Sequence, residues 1–238
     1  MTELKEMIED RVATIREAAL DNLRSASWLE HELLPQLGLH GLAREYLPKD
    51  LGPHCNAGLQ SYQAPNQFSK YLAHLATRKI SNYLELGAHM GGTFIITIEY
   101  LSRFSDAPVH GMAIDQSILP PLRAYQEMRG NVDLLSSPTN DQNVAKLIRR
   151  RFWDLALIDA DHTEAGCSAD FALMRDNAKL VAFHDIYNDV CPYVEVVWKR
   201  LLRVVPRRCT WEFSEQYVEM LRTRNQRLFG IGLVELGQ

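Results

Sequence analysis

The chain has 238 residues, 46% of them apolar, and a formal net charge of −4; the length suits one α/β domain with an extension, and the charge excludes a broad electrostatic pull toward nucleic acid. Four dispersed cysteines, Cys55, Cys167, Cys191 and Cys209, form no CxxC pair, which excludes a zinc ribbon or thioredoxin-type site and argues against a disulfide framework. The charged opening MTELKEMIEDR has no signal-peptide core, and the longest apolar run, Thr93 to Leu101, is about half of a membrane span, so a reducing cytoplasmic location with no membrane partner is expected.

In chain order, residues 2–47 read as helices, with Ile8, Val12, Ile15 and Ala19 at helical spacing and Trp28, Leu29, Leu33 and Leu34 continuing the stripe. Pro48 and Gly52-Pro53 to Gly58 are loop chemistry, and Pro65 opens a helix whose buried stripe is Phe68, Leu72 and Leu75. Strands and helices then alternate: a strand at Tyr83–Leu86, a helix at Thr93–Phe104, a strand at Val109–Ile114 and a helix at Leu122–Arg129. The pattern continues with strand Val132–Leu135, helix Gln142–Arg151, strand Leu155–Ile158, helix Ser168–Asn177, strand Leu180–Phe183 and helix Val194–Val205. Two β-like runs close the chain, Trp211–Val218 and Phe229–Leu236. This spacing predicts a Rossmann-like α/β fold, a mostly parallel seven-stranded sheet with helices on both faces and an antiparallel C-terminal hairpin at one edge. Residues 1–60 form a helical N-terminal extension, a lid or dimer contact, and residues 61–238 the main domain. The stripe on the extension is the ground for expecting a homo-oligomer, a dimer.

The stretch LELGAHMGGTF joins the first core strand to its helix. Gly87 permits a sharp turn at the strand end, and Gly91 and Gly92 permit close approach of backbone to a ligand and of helix to sheet. Glu85 stands inside the apolar strand, where an unpaired carboxylate is costly. The next strand ends at Asp115, placed to accept hydrogen bonds from the two ribose hydroxyls of an adenosine ligand. Two later strands end in acids and imidazoles: LALIDADH delivers Asp159, Asp161 and His162, and LVAFHD delivers His184 and Asp185. Ligands in open α/β sheets sit beyond the carboxyl ends of the strands, so these groups should converge on one crevice. Individually, Asp161 and Asp185 can equally cap the helices that follow them.

The E-x-G-x-x-x-G-G loop with Asp115 resembles motif I and the following acidic position of class I methyltransferases that use S-adenosylmethionine. IDADH with FHD resembles the metal-dependent O-methyltransferases among them, closest to the macrolide-sugar O-methyltransferase and cephalosporin-hydroxylase-like group, with catechol and caffeoyl-CoA enzymes more distant. The resemblance implies S-adenosylmethionine held by Glu85, Gly87, Gly91, Gly92, Asp115 and Asp159, with Ser137 and Asp141 from the loop SSPTNDQ toward the adenine. It also implies a divalent cation, Mg²⁺, on Asp159 and Asp185, and His162 as general base. Catechol-type enzymes follow the second metal Asp with Asn; this chain has Ile186, so a third ligand has to come from Asp161, Asn188 or Asp189. His184 is read as orienting Asp185, and the segment carrying Gln63 and Gln67 as a plain amphipathic helix in preference to one that reaches the site.

The expected activity is O-methylation of a hydroxyl on a small metabolite or on a sugar of a natural product, with no nucleic acid partner. The alternatives are a metal-independent N- or carboxyl-methyltransferase and a non-catalytic cofactor-binding protein of the same fold.

Overall fold

The computed structural model describes residues 2–237. Helix α1 (Thr2–Glu17) buries Ile8, Val12 and Ile15, one face at the i, i+4, i+7 spacing. The helices expected up to residue 47 continue after α1 as a series of short pieces, α2 (Leu20–Arg24), α3 (Ala26–Trp28), a wide turn Leu29–Leu33 and α4 (Leu34–Leu37). Ser25 interrupts it by capping, its hydroxyl accepting from the Trp28 N–H, and Gly38 ends it at φ +99°. Two tight helical turns follow, Gly41–Glu45 and Lys49–His54.

The remaining elements are α5 (Pro65–Leu75), β1 (Asn82–Leu86), α6 (Gly92–Ser102), β2 (His110–Asp115), α7 (Pro120–Met128), β3 (Val132–Ser136), α8 (Gln142–Ile148) and β4 (Trp153–Ile158). After these come α9 (Glu164–Arg175), β5 (Ala178–Phe183), α10 (Pro192–Leu201), β6 (Thr210–Phe213), α11 (Val218–Arg224) and β7 (Ile231–Glu235). The sheet has seven strands in the order β3-β2-β1-β4-β5-β7-β6; the first five are parallel, and β7 runs antiparallel between β5 and β6. The run expected as strand to Val218 stops at Phe213, and Val218 opens α11. Helix α9 starts at Glu164, before the expected Ser168, because the Thr163 hydroxyl accepts from the Gly166 N–H and caps it.

Leu84, Leu86, Ala156, Ile158, Val181 and Phe183 face one core, while Tyr83, Leu155, Leu157, Leu180 and Ala182 face the other. Burial on both faces explains why the central strands read as unbroken apolar runs. The stripe of α1 packs in the second of these cores against α6 and α7. Arg16 pins it there, its guanidinium 2.7 Å from Glu99 on α6, which also accepts from Arg129 at 3.0 Å and from the Tyr125 hydroxyl at 2.9 Å. The apolar face that suggested a subunit contact is therefore covered within the chain. No helix among the described residues is long and apolar enough to cross a membrane.

Chain order reverses between β1 and β4, and the reversal leaves a crevice beyond their carboxyl ends.

Candidate active site

Gly87 leaves β1 at φ +85°, and a Cβ there would meet the Asp159 carbonyl oxygen at 2.1 Å. Only glycine tolerates both the left-handed turn and this approach, and the Asp159 N–H closes the gap by donating to the Leu86 carbonyl at 2.8 Å. The ends of β1 and β4 are thus locked side by side. Across β2, Asp115 holds the loop: one carboxylate oxygen accepts from the Ala88 and His89 N–H groups at 2.9 and 2.8 Å, the other from Ser117 at 2.9 Å. Its charge is fixed at the rim by three backbone donors.

Not every residue expected in the cofactor loop reaches the crevice. Gly91 lies against Leu122, and Gly92 against the backbone of 59–61, where a Cβ would stand 2.4 Å from the Leu59 carbonyl oxygen. Both glycines serve packing of the loop on its neighbours and line no part of the cavity. Glu85 also lies elsewhere. It shares the sheet face of Tyr83, takes a hydrogen bond from that hydroxyl, and is buried so deeply that its carboxyl is pushed well above the ordinary range despite that bond. It is an acid of the core, held toward its protonated form by burial. Ser137 does line the crevice, whereas Asp141 caps α8, accepting from the Asn143 N–H at 2.6 Å, and borders a separate cavity of about 410 Å³.

The second half of the site converges as its strand positions require. Ile158 and Phe183 are in register, so Asp159 and His184, the next residues of β4 and β5, stand side by side. His162 Nε2 lies 3.3 Å from Asp159 Oδ1 and 3.0 Å from Asp185 Oδ2; His184 Nδ1 lies 3.1 Å from Asp159 Oδ1 and 3.4 Å from Asp185 Oδ1. Asp185 sits at φ +63°, a left-handed turn that Asp tolerates better than most residues, and the Asn188 amide donates to it at 2.7 Å. Hydrogen bonds to Asp159 and Asp185 push His162 up to about 10. Burial works to lower His184, but the two carboxylate charges override it and bring it to about 9. Asp185 is held down at about 2: its own burial is outweighed by His184, His162 and Asn188.

Asp161 is turned away from this cluster. Its carboxylate accepts from the Thr163 N–H at 2.9 Å and packs on Gly166, so it shapes the start of α9, and the third-ligand role expected for it is not supported. Asp189 is engaged by Arg227 at 2.7 Å. Gln67 does not reach the site; it ties α5 to the approach to β7, accepting from the Gly230 N–H and donating to Glu215 and Leu228 carbonyls.

Gly87, Asp115, Ser137, Asp159, His162, His184 and Asp185 all border one cavity of about 1080 Å³. Its remaining walls hold residues that the sequence did not single out. Leu42, Tyr46 and Tyr62 come from the N-terminal segment, Tyr62 packing on His40 and His89 with ring centroids 4.7 and 6.4 Å apart. Cys191 stands at the foot of α10, with His162 and Asp185 within ligand-sharing distance. Asp170 enters from mid-α9, one turn beyond Gly166; burial raises its carboxyl to about 6 against the Thr139 hydroxyl, and its Oδ2 has no partner among the described residues. The small-residue spacing of AGCSAD was the available signal, since it puts Gly166, Ala169 and Asp170 on one helix face.

A nucleoside ligand fits the Gly87–Asp115–Ser137 wall, where backbone is bare and a carboxylate faces open space. Magnesium fits the other wall less well. It takes oxygen ligands, and the carboxylates here are interleaved with imidazoles and a thiol, a donor set suited to softer divalent cations.

No protein-family model matches the chain, and no curated protein matches it. Among solved structures, it is similar to the O-methyltransferase from Bacillus cereus in complex with SAH, with a TM-score of 0.50 and 15% identity over 75% of this chain and 84% of that one. It is likewise similar to the O-methyltransferase TomG from Streptomyces achromogenes, involved in tomaymycin synthesis and solved with SAM, at TM-score 0.52 and 14% identity over 74% and 82%. The fold is the Rossmann-like one of these structures.

Proposed function

We propose that the chain is an S-adenosylmethionine-dependent methyltransferase that methylates a hydroxyl of a small metabolite or of a sugar on a natural product. One juxtaposition carries the reading: the Gly87 turn and Asp115 form one wall of a single cavity, and Asp159, His162 and Asp185 form the other. At about 1080 Å³ the cavity matches the upper end of ligand sites, roughly 300–1,000 Å³, and so accommodates a donor and an acceptor together.

S-adenosylmethionine, when bound, supplies a methyl group activated on a sulfonium, and transfer to oxygen leaves the demethylated cofactor and one proton. The chain's own residues have two tasks. The first is alignment: Asp115 anchors the ribose, Gly87 lets backbone approach, and the wall of Ser137 and Thr139 receives the base, so that the methyl points toward Asp159 and His162. Such positioning lowers a bimolecular barrier by up to about 7–11 kcal/mol. The second is proton management. His162 Nε2 is the group within reach of an acceptor hydroxyl, but it takes a proton only in its neutral form. While it bonds both carboxylates it keeps its own, so an acceptor or cation that engages Asp159 and Asp185 is what frees it to act as base. The magnesium expected from the resemblance would find two oxygen ligands there, Asp159 and Asp185, and would supply positive charge beside the acceptor hydroxyl.

Titration calorimetry of the purified chain with S-adenosylmethionine and its demethylated product tests the reading. Saturable one-to-one binding of both is expected, with mass spectrometry showing a gain of one methyl on a hydroxylated acceptor. A folded chain with no affinity for either ligand overturns it, and a product methylated at nitrogen or carboxylate moves the acceptor class.

A further inference from the structure

We infer that Asp159, His184 and Asp185 form a three-ligand site for a first-row transition-metal dication, in which His184 is a ligand in its own right and the preference runs away from Mg²⁺. The inference rests on the methyltransferase reading only for the location of the site.

The three donor atoms lie within 4.8 Å of one another, and the two spacings made by His184 are those of a coordination shell. Ligands about 2.1 Å from a cation lie about 3.0 Å apart on an octahedral edge and about 3.4 Å apart on a tetrahedral one. His184 Nδ1 stands 3.1 Å from Asp159 Oδ1 and 3.4 Å from Asp185 Oδ1. The donors come from rigid positions. Asp159 and His184 are the residues after two registered strands, and Asp185 is fixed by its turn and by Asn188. The His184 ring is buried and packs on Phe229 with centroids 5.7 Å apart, and its Nε2 has no partner among the described residues. The ring therefore presents a single working nitrogen, and that nitrogen points between two carboxylates.

The donor type then sets the selectivity. Imidazole suits Zn²⁺, Fe²⁺ and Co²⁺, whereas Mg²⁺ demands oxygens. Asp161, the oxygen that would have hardened the site, is instead bound to the N–H of Thr163 at the start of α9. Cys191 makes a competing triad with His162 and Asp185, and a cation there would carry a thiolate ligand.

The test uses the full chain stripped of metal and titrated with Co²⁺ and with Mg²⁺, followed by calorimetry and by visible absorption of the cobalt ion. One Co²⁺ per chain is expected, bound about a hundredfold or more tighter than Mg²⁺, with d–d bands and no thiolate charge-transfer band in the near-ultraviolet. Cys191→Ser should leave the cobalt spectrum and affinity unchanged. His184→Asp should narrow the Co²⁺ to Mg²⁺ preference by about tenfold or more. Should that variant not fold, Asp159→Asn, at a more exposed position, should weaken binding of both cations. An unaltered preference in a folded His184→Asp, affinities unaffected by Asp159→Asn, a charge-transfer band lost in Cys191→Ser, or no stoichiometric cobalt binding would each overturn the assignment. Titration of the same protein with the demethylated cofactor is read separately. Cobalt binding without cofactor binding sinks the methyltransferase reading and leaves the metal site standing.

Discussion

Asp115 and His162 show how one residue can have its chemistry set by its neighbours. The Asp115 carboxylate collects three backbone N–H groups and still faces the cavity, so Asp115→Ala removes a loop clamp and, on the proposed function, the ribose acceptor. Hydrogen bonds to charged groups contribute about 1.5–3 kcal/mol each, so affinity for S-adenosylmethionine should fall by about tenfold or more in calorimetry. His162 and His184 titrate at about 10 and about 9 beside Asp159 and Asp185, above the ordinary histidine value. A histidine raised in the folded chain adds stability that is complete below its unfolded value, ~6.5, and is lost as pH rises through the folded value. In the metal-free protein, chemical denaturation should therefore show stability falling from neutral pH toward pH 9 to 10, and Asp159→Asn should flatten that fall. Asp170 runs on the same rule in a lower window. Its carboxyl, raised to about 6 by burial, favours the fold fully below its ordinary value and loses that contribution as pH climbs through 6. Asp170→Asn should consequently stabilise the chain at pH 7, by about 1–3 kcal/mol in urea melts.

At the scale of elements, the site depends on how strands and helices end. β1 and β4 meet through Gly87, and any Cβ there collides with the Asp159 carbonyl while the backbone stays at positive φ. Gly87→Ala should cost about 1–3 kcal/mol or more in thermal melts and should also weaken cofactor binding, because relief of the clash displaces Asp159. Helix α9 begins where Thr163 caps it through the Gly166 N–H, with Asp161 holding the N–H of that capping residue. The same local chemistry that holds Asp161 at the start of α9 turns it away from Asp159, His184 and Asp185, which a DxD spacing alone does not reveal.

For the whole molecule, α1 is part of the main core. It buries Ile8, Val12 and Ile15 against α6 and α7, and each such side chain contributes roughly 1.5–3 kcal/mol on burial. Glu99, nearly fully buried, is paired with both Arg16 and Arg129. Deleting residues 1–17 should leave a chain that aggregates or melts far below the full-length protein, and Glu99→Ala should lower stability by about 3–5 kcal/mol in denaturant titrations. Either result is read by circular dichroism; a truncated chain melting like the full one would refute the account.

The sequence by itself determined the alternation of strands and helices, the Gly87 turn, and the arrival of Asp115, Asp159, His162, His184 and Asp185 at one rim. Those features follow from local periodicity and from the rule that parallel strands all end on the same side. Only the tertiary structure decided that Glu85 is a buried core acid, that Gly91 and Gly92 serve packing, that Asp141 caps α8 and that Asp161 holds the Thr163 N–H. It alone also brought Leu42, Tyr62 and Asp170 to the cavity. The reason is physical: residue type and strand position fix where a backbone goes, but the direction of a side chain at an element's end is settled by whichever N–H group, glycine surface or buried neighbour competes for it.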